Sequence, residues 1–242
     1  MDRASSRVLV YGHRGASAHA RDNTVEAFAL AIEHGADGVE LDVRRTRDGA
    51  LIVHHEDRAA LGSAPFITQD LRTIKAATPW VPTLDETLAA IGDRALLNIE
   101  IKNDIGEADF DQSRRIAADL ARWVEASGVA ERVLVSSFDG VVLTALKERA
   151  PELATGLLVS AAVDPETVIA WAKRDGHASV HLPAPIVLTD PERIVAAARP
   201  LLVLVWTVND PDTALMLAKA GVDGIFSDDP GLMVATLYEG EL

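Results

Sequence analysis

The chain has 242 residues and no cysteine. This excludes disulfide frameworks and thiolate zinc sites, and it fits a reducing compartment. Long apolar runs are also missing: nothing approaches the ~18 consecutive apolar residues that a membrane-spanning helix needs. The first residues lead straight into Val8-Leu9-Val10-Tyr11, without the apolar region and small-residue cleavage site of a secretion signal. The expectation is a soluble, cytoplasmic protein. Positive charge is scarce. With 23 Lys and Arg against 37 Asp and Glu, the formal net charge is −14. Nucleic acids and anionic membranes are held by clustered Lys and Arg, so neither suits this surface. An anionic small molecule would need its own local cationic site, because screening limits longer-range attraction to about 8–10 Å at ordinary salt. No internal repeat and no low-complexity tract occurs.

What is present is 48% hydrophobic residues, ample for a large core, and a length normal for one α/β barrel. Strand-like segments stand at 8–11, 38–43, 51–54, 96–101, 133–136, 155–159, 179–182, 201–206 and 224–226. Helix-like segments stand around 23–34, 84–91, 110–127, 140–149, 165–175, 191–198 and 211–220. Asp164-Pro165, Asp190-Pro191 and Asp210-Pro211 each have the form of an N-cap followed by proline at the first helical position. Gly35, Gly128, Gly176 and Gly221 stand where helices should stop. Repeated β-then-α order predicts a parallel sheet, and the best reading is an α/β barrel forming a single domain over residues 1–242. Nine strand candidates are one too many for eight strands, and the second reaches the third without a helix between. Residues 56–82 are expected to form a short elaborated loop after the third strand, with a short helix around 68–77.

Chemistry concentrates on a few strands. In Val39-Glu40-Leu41-Asp42-Val43, side-chain alternation puts Glu40 and Asp42 on one face and the apolar residues on the other. Neighbouring carboxylates repel unless a cation sits between them, and a divalent metal is the usual answer. Leu97-Asn98-Ile99-Glu100-Ile101-Lys102 alternates in the same way. Alone it also fits a solvent-facing strand; beside Glu40 and Asp42, Glu100 would complete an oxygen-rich set suited to Mg²⁺, Ca²⁺ or Mn²⁺. The first strand ends Tyr11-Gly12-His13-Arg14-Gly15, placing an imidazole for proton transfer beside a guanidinium shaped for phosphate oxygens. His54 and His55 would point to opposite faces if their strand continued, and parity does not choose between them. His181 is expected to be a satisfied interior histidine, Ser137 and Phe138 to line the mouth or pack, and Asp228 and Asp229 to belong to a turn or cap outside the metal site.

These residues resemble a known family. His13-Arg14-Gly15, Asp22-Asn23-Thr24, Gly35-Ala36-Asp37, Glu40-Leu41-Asp42-Val43, Thr46-Arg47-Asp48-Gly49 and Val53-His54-His55 are similar to the glycerophosphodiester phosphodiesterases. The similarity continues in order through Pro82-Thr83-Leu84, Asn98-Ile99-Glu100-Ile101-Lys102, Ser137-Phe138, Trp206-Thr207-Val208-Asn209 and Gly221-Val222-Asp223-Gly224. The resemblance implies a TIM (β/α)8-type barrel that hydrolyses glycerophosphodiesters to sn-glycerol 3-phosphate and an alcohol. It implies one divalent cation held by Glu40, Asp42 and Glu100, and His13 and His55 as the acid/base pair, selecting His55 over His54. Arg14 and Lys102 become phosphate contacts, with Trp206 as a wall against the glycerol carbons. Two positions depart from the family pattern by one methylene: Asp22 stands where Glu is usual, and Glu56 where Asp is usual. The 56–82 segment is shorter than is common, so a bulkier alcohol, such as that of a lysophospholipid or another lipid phosphodiester, is an alternative substrate. A non-catalytic metal- or phosphate-binding barrel is a further alternative.

Overall fold

Short apolar strands and amphipathic helices alternate through the computed structural model, which describes residues 7–160 and 162–238. The strands are β1 (Leu9–His13), β2 (Gly38–Arg45), β3 (Leu51–Val53), β4 (Leu96–Ile101), β5 (Val133–Ser137), β6 (Ala154–Leu158), β7 (Ser179–Pro183), β8 (Leu202–Trp206) and β9 (Gly224–Ser227). The helices are α1 (Val25–Glu33), α2 (Leu71–Ala77), α3 (Leu84–Ile91), α4 (Arg115–Ser127), α5 (Gly140–Lys147), α6 (Pro165–Arg174), α7 (Ala184–Val187), α8 (Pro191–Ala198), α9 (Pro211–Ala220) and α10 (Pro230–Tyr238).

Eight of the strands are parallel and close on themselves in the order β1-β9-β8-β7-β6-β5-β4-β2, with β1 paired to β2, forming a TIM barrel. The surplus strand is β3. It pairs antiparallel with the far end of β2, Val43 opposite Val53 and Arg45 opposite Leu51. The reason is length: only Thr46 to Ala50 connect the two, whereas a parallel return needs a dozen or more residues. β3 is therefore an arm on the barrel rim.

Alternation sorts the side chains as expected. Val39, Leu41 and Val43 of β2 and Leu97, Ile99 and Ile101 of β4 face outward into the main core under the helices. Inside the barrel, Tyr11, Leu204 and Phe226 pack with Leu9, Leu96 and Leu134 as a separate apolar plug. Polar inward residues follow toward the strands' C-terminal ends, where barrel enzymes place their reactive groups.

The helix ends match their sequence signals. Asp164, Asp190 and Asp210 accept hydrogen bonds from the backbone N–H groups of Thr167, Arg193 and Thr213. Gly35, Gly128, Gly176 and Gly221 all have positive φ. Residues 56–82 contain α2 and a 3₁₀ turn at Phe66–Thr68, with a small core of Ile52, Phe66, Ile74 and Val81. α7 and α10 have no counterpart among the sequence-based helices, although Asp229-Pro230 repeats the same start signal before α10.

Candidate active site

Register places the acidic residues together. Asp42 on β2 lies opposite Glu100 on β4, and His13 on β1 lies opposite Glu40. Carboxylate oxygens of Glu40, Asp42 and Glu100 come within 4.8 Å of one another, and all three belong to buried side chains. Burial, reinforced by Asp42 and Glu100, pushes the Glu40 carboxyl well above its ordinary range. Burial and Asp42 raise Glu100 to about 7. Burial acts on Asp42 too, but Arg14 and Lys102 outweigh it and hold its carboxyl below the usual value. Among the described residues, Glu40 Oε1 is buried without a hydrogen-bond partner. An oxygen-only cluster with mutual repulsion and an orphaned oxygen fits a hard divalent cation.

The turn after β1 fixes this cluster. Arg14 and Asn23 both adopt positive φ (58° and 55°), a conformation non-glycine residues hold only when the surroundings enforce it. From there the Arg14 backbone N–H donates to Glu40 Oε2 (2.9 Å). The Asn23 amide donates to Asp42 Oδ2 (2.7 Å) while its carbonyl accepts from the Asp42 N–H (3.2 Å). Gly15 makes the turn possible: a Cβ there would lie 2.5 Å from the carbonyl carbon of Ala27. Arg14 Nε lies 3.3 Å from Asp42 Oδ2, and Lys102 Nζ lies 2.9 Å from Glu100 Oε1. Burial disfavours the Lys102 charge, yet Glu100 and Asp42 more than offset it and raise its pKa.

His13, Arg14, Glu40, His55, Glu100, Lys102 and Trp206 all line one cavity of ≈ 620 Å³ including its mouth, with Asp42 beneath it against Arg14 and Lys102. All eight residues singled out from the sequence are thus brought together. The histidine ambiguity has a simple structural answer. β3 ends at Val53, so strand parity does not extend to His54 or His55. His54 turns its ring onto Phe66 and Trp80, with centroids 5.1 and 5.5 Å away, while His55 lines the cavity.

His13 and His55 each bind a carboxylate through Nδ1. His13 Nδ1–H donates to Asp228 Oδ1 (2.7 Å), and His55 Nδ1–H to Glu56 Oε1 (2.8 Å). An ionised carboxylate only accepts, so each bond fixes the tautomer and leaves Nε2 as the free ring nitrogen. Asp228 also accepts from Ser17 Oγ (3.0 Å) and from the Asn209 amide (2.6 Å). These bonds, that from His13 foremost, lower it to about 2. The sequence reading missed Asp228; its signal was a position just beyond the last barrel strand.

Arg44 was missed as well. It shares the inward parity of Glu40 and Asp42 and is fully buried. Its Nε donates to the carbonyl of His55 (2.9 Å), and its Nη1 reaches Glu107 (2.8 Å) and Asp109 (2.7 Å). It thereby ties the His55 loop to the loop after β4.

The opposite wall is aromatic. Trp206 meets Phe138 edge-on at 5.9 Å, and its indole N–H donates to the His181 carbonyl (3.3 Å). His181 also lines the cavity; its Nε2 bonds Ser179 Oγ (2.9 Å) while Nδ1 has no partner among the described residues. Burial lowers it to about 3, so the ring is neutral and only half satisfied, against the fully satisfied interior histidine expected from the sequence.

The sequence model of the glycerophosphoryl diester phosphodiesterase family matches residues 13–232. The chain belongs to this family. The phosphodiesterase is 33% identical to a glycerophosphodiester phosphodiesterase of Caldanaerobacter subterraneus subsp. tengcongensis, across 97% of this chain and 99% of that one. Among solved structures it is similar to a glycerophosphodiester phosphodiesterase of Thermotoga maritima, with TM-score 0.78 and 29% identity over 95% and 98% of the two chains. It is also similar to an Oleispira antarctica phosphodiesterase in complex with the product sn-glycerol-3-phosphate, with TM-score 0.79 and 26% identity over 95% and 96%. Among the described residues, no helix of the phosphodiesterase is long and apolar enough to cross a membrane.

Proposed function

We propose that the protein hydrolyses glycerophosphodiesters to sn-glycerol 3-phosphate and an alcohol, with Glu40, Asp42 and Glu100 holding one divalent cation, Mg²⁺ or Ca²⁺ before Mn²⁺. The carrying observation is one cavity lined by two cationic side chains and two carboxylate-anchored imidazoles, with the three buried carboxylates at its base. The Oleispira relative with bound sn-glycerol-3-phosphate supports a small glycerophosphate ligand. The bound cation would supply Lewis-acid polarisation of the phosphoryl group.

The remaining chemistry belongs to the chain's own groups. Arg14 and Lys102 place positive charge against phosphate oxygens, offsetting the repulsion an anionic ester presents to a nucleophile. His13 and His55 form the acid/base pair. One Nε2 accepts the proton of the attacking oxygen, and the other delivers a proton to the departing alkoxide. Each transfer is worth about 10²–10⁴-fold in rate. Trp206 stands as an apolar wall beside the glycerol carbons. A purely binding barrel would not need both imidazoles held in fixed tautomers beside the phosphate cations.

The test is release of glycerol 3-phosphate from glycerophosphocholine, with and without a chelator, for the wild type and for His13→Ala. Loss of activity under both treatments is expected. Turnover unaffected by either would overturn the assignment.

One observation favours a bulkier alcohol as a second reading. A surface groove of ≈ 1170 Å³, lined by Val141, Leu157, Val163 and Trp171, shares Phe138 and Leu158 with the cavity. Its apolar lining suits an acyl chain on the leaving alcohol, as in a lysophospholipid. If it serves, Trp171→Ala lowers turnover of lysophosphatidylcholine and spares glycerophosphocholine. Equal effects on the two substrates would remove this reading.

A further inference from the structure

Outside the cavity, a second group of ligand-type side chains forms where the β1–α1 loop meets the start of α10. His19 stands on that loop, His34 caps the end of α1, and Asp229 precedes α10. One potential ligand atom from each lies within 4.8 Å of the others. His19 Nε2 is 3.0 Å from Asp229 Oδ2, and the two imidazoles meet edge-on with centroids 5.5 Å apart. Asp229 Oδ1 is occupied by the Leu232 backbone N–H (3.1 Å), which leaves Oδ2 for another partner. Nδ1 of His34 is buried and has no hydrogen-bond partner among the described residues. Gly231 makes room for it: a Cβ there would sit 3.1 Å from His34 Nδ1 and 3.2 Å from the histidine's own Cβ and Cγ.

We propose that His19, His34 and Asp229 form a second metal site, selective for a divalent transition metal of the Zn²⁺ type. The donor set decides the metal class. Two imidazoles and one carboxylate suit Zn²⁺, Co²⁺ or Ni²⁺, whereas the all-oxygen set of Glu40, Asp42 and Glu100 suits Mg²⁺ or Ca²⁺. His19 is 43% exposed, which opens the site to an ion arriving from solvent. The site also has a structural consequence. Ala18, beside His19, donates its backbone N–H to the Asp228 carbonyl (2.9 Å), and Ser17 Oγ donates to the Asp228 side chain. An ion joining His19 to Asp229 clamps this loop to α10 around the residue that holds His13.

The probe is Co²⁺, titrated into the Glu40→Gln/Glu100→Gln variant so that the oxygen site does not contribute, and into the wild type in excess Mg²⁺. The expected result is one equivalent bound in both, with the visible absorption of low-coordinate, imidazole-ligated Co²⁺, its displacement by Zn²⁺, and a rise in Tm. His19→Ala and His34→Ala should each weaken this binding by more than about 100-fold, since losing merely an outer partner of a metal ligand costs about 10–100-fold. Both should retain Mg²⁺-dependent hydrolysis. If His34→Ala fails to fold, the exposed His19→Ala carries the test. No bound equivalent in the double variant, or Co²⁺ binding unchanged by His19→Ala, would overturn the proposal.

Discussion

The two ends of β2 carry carboxylates in opposite situations. Just before the strand, Asp37 finds all its partners within the protein: it accepts from the Val10 N–H (2.9 Å) and the Tyr238 hydroxyl (2.8 Å), and it pairs with Arg7. The same device recurs at β9. There Gly221-Val222-Asp223-Gly224 echoes Gly35-Ala36-Asp37-Gly38, and Asp223 accepts from the Val203 N–H (2.8 Å) and from Arg199 (2.6 Å). Farther along β2, Glu40 and Asp42 crowd against Glu100; Arg14 and Lys102 compensate Asp42, but Glu40 and Glu100 are pushed up, and an oxygen of Glu40 has no partner among the described residues. Paired carboxylates join helix ends to strand starts and serve the fold. The crowded ones cost stability in the cation-free protein, which is expected where electrostatics are arranged for a ligand.

The sharpest way to break this contrast is to neutralise one carboxylate at each end. Glu40→Gln should lower activity by about 10²-fold or more, since it removes one of the three proposed cation ligands, and losing even an outer partner of a ligand costs about 10–100-fold. The same variant should raise Tm in chelator, because a repelling buried charge is gone. Asp37→Asn should do the reverse, keeping activity while losing about 2 kcal/mol of stability through weakened charge-assisted hydrogen bonds. Activity assays and thermal melts on the two variants suffice. A Glu40→Gln protein that is less stable than wild type without cation would mean that the cluster is not in conflict.

A second, smaller contrast lies within the proposed acid/base pair. Asp228 grips His13 while accepting two further side-chain hydrogen bonds, whereas Glu56 is 69% exposed and, among the described residues, its carboxylate bonds His55 alone. Asp228→Asn should therefore cost about 10²-fold in kcat, through loss of imidazole orientation and tautomer control, with little change in KM. Glu56→Gln should cost about tenfold or less, because an exposed pair is screened and loosely held. Equal losses from the two would show that the extra bonds to Asp228 do not matter.

Much of the site was legible because strand parity projects side chains without knowledge of the fold. Glu40, Asp42 and Glu100 could be assigned to one face from alternation alone, and glycine-flanked His13-Arg14 marked a strand end. Partners supplied by distant segments were not legible. Asp228 lies 215 residues from His13, and only barrel closure between β1 and β9 brings them together. Arg44 had the right parity, but its burial depends on Glu107 and Asp109 from an irregular loop. The surplus of one strand candidate was legible, but which one stood outside the barrel was not, because the apolar residues of β3 resemble those of an interior strand. The five residues before it were the available clue to an antiparallel turn.

The smallest expected effect concerns pH, and its sign separates the acidic cluster from the rest of the molecule. Glu100 has a folded-state pKa of about 7 against an ordinary 4.5, so the folded protein holds this proton more tightly than the unfolded chain. The resulting stability is complete below about pH 4.5 and is lost as pH rises through about 7. Asp228 works in the opposite direction: lowered to about 2, it contributes above its ordinary 3.8 and is lost only as pH falls toward 2. Half-buried His54 and buried His177 and His181 are also lowered and add stability with rising pH, which masks the Glu100 contribution in a simple melt. The useful quantity is therefore a difference. Cation-free Glu100→Gln should gain Tm relative to cation-free wild type as pH rises from 4.5 to 7, since the histidine contributions cancel. Saturating Mg²⁺ should reverse the ranking, because the ion rewards ionised carboxylates that repel one another without it. A Tm difference independent of pH in the cation-free state would place Glu100 among the paired carboxylates and remove the contrast along β2.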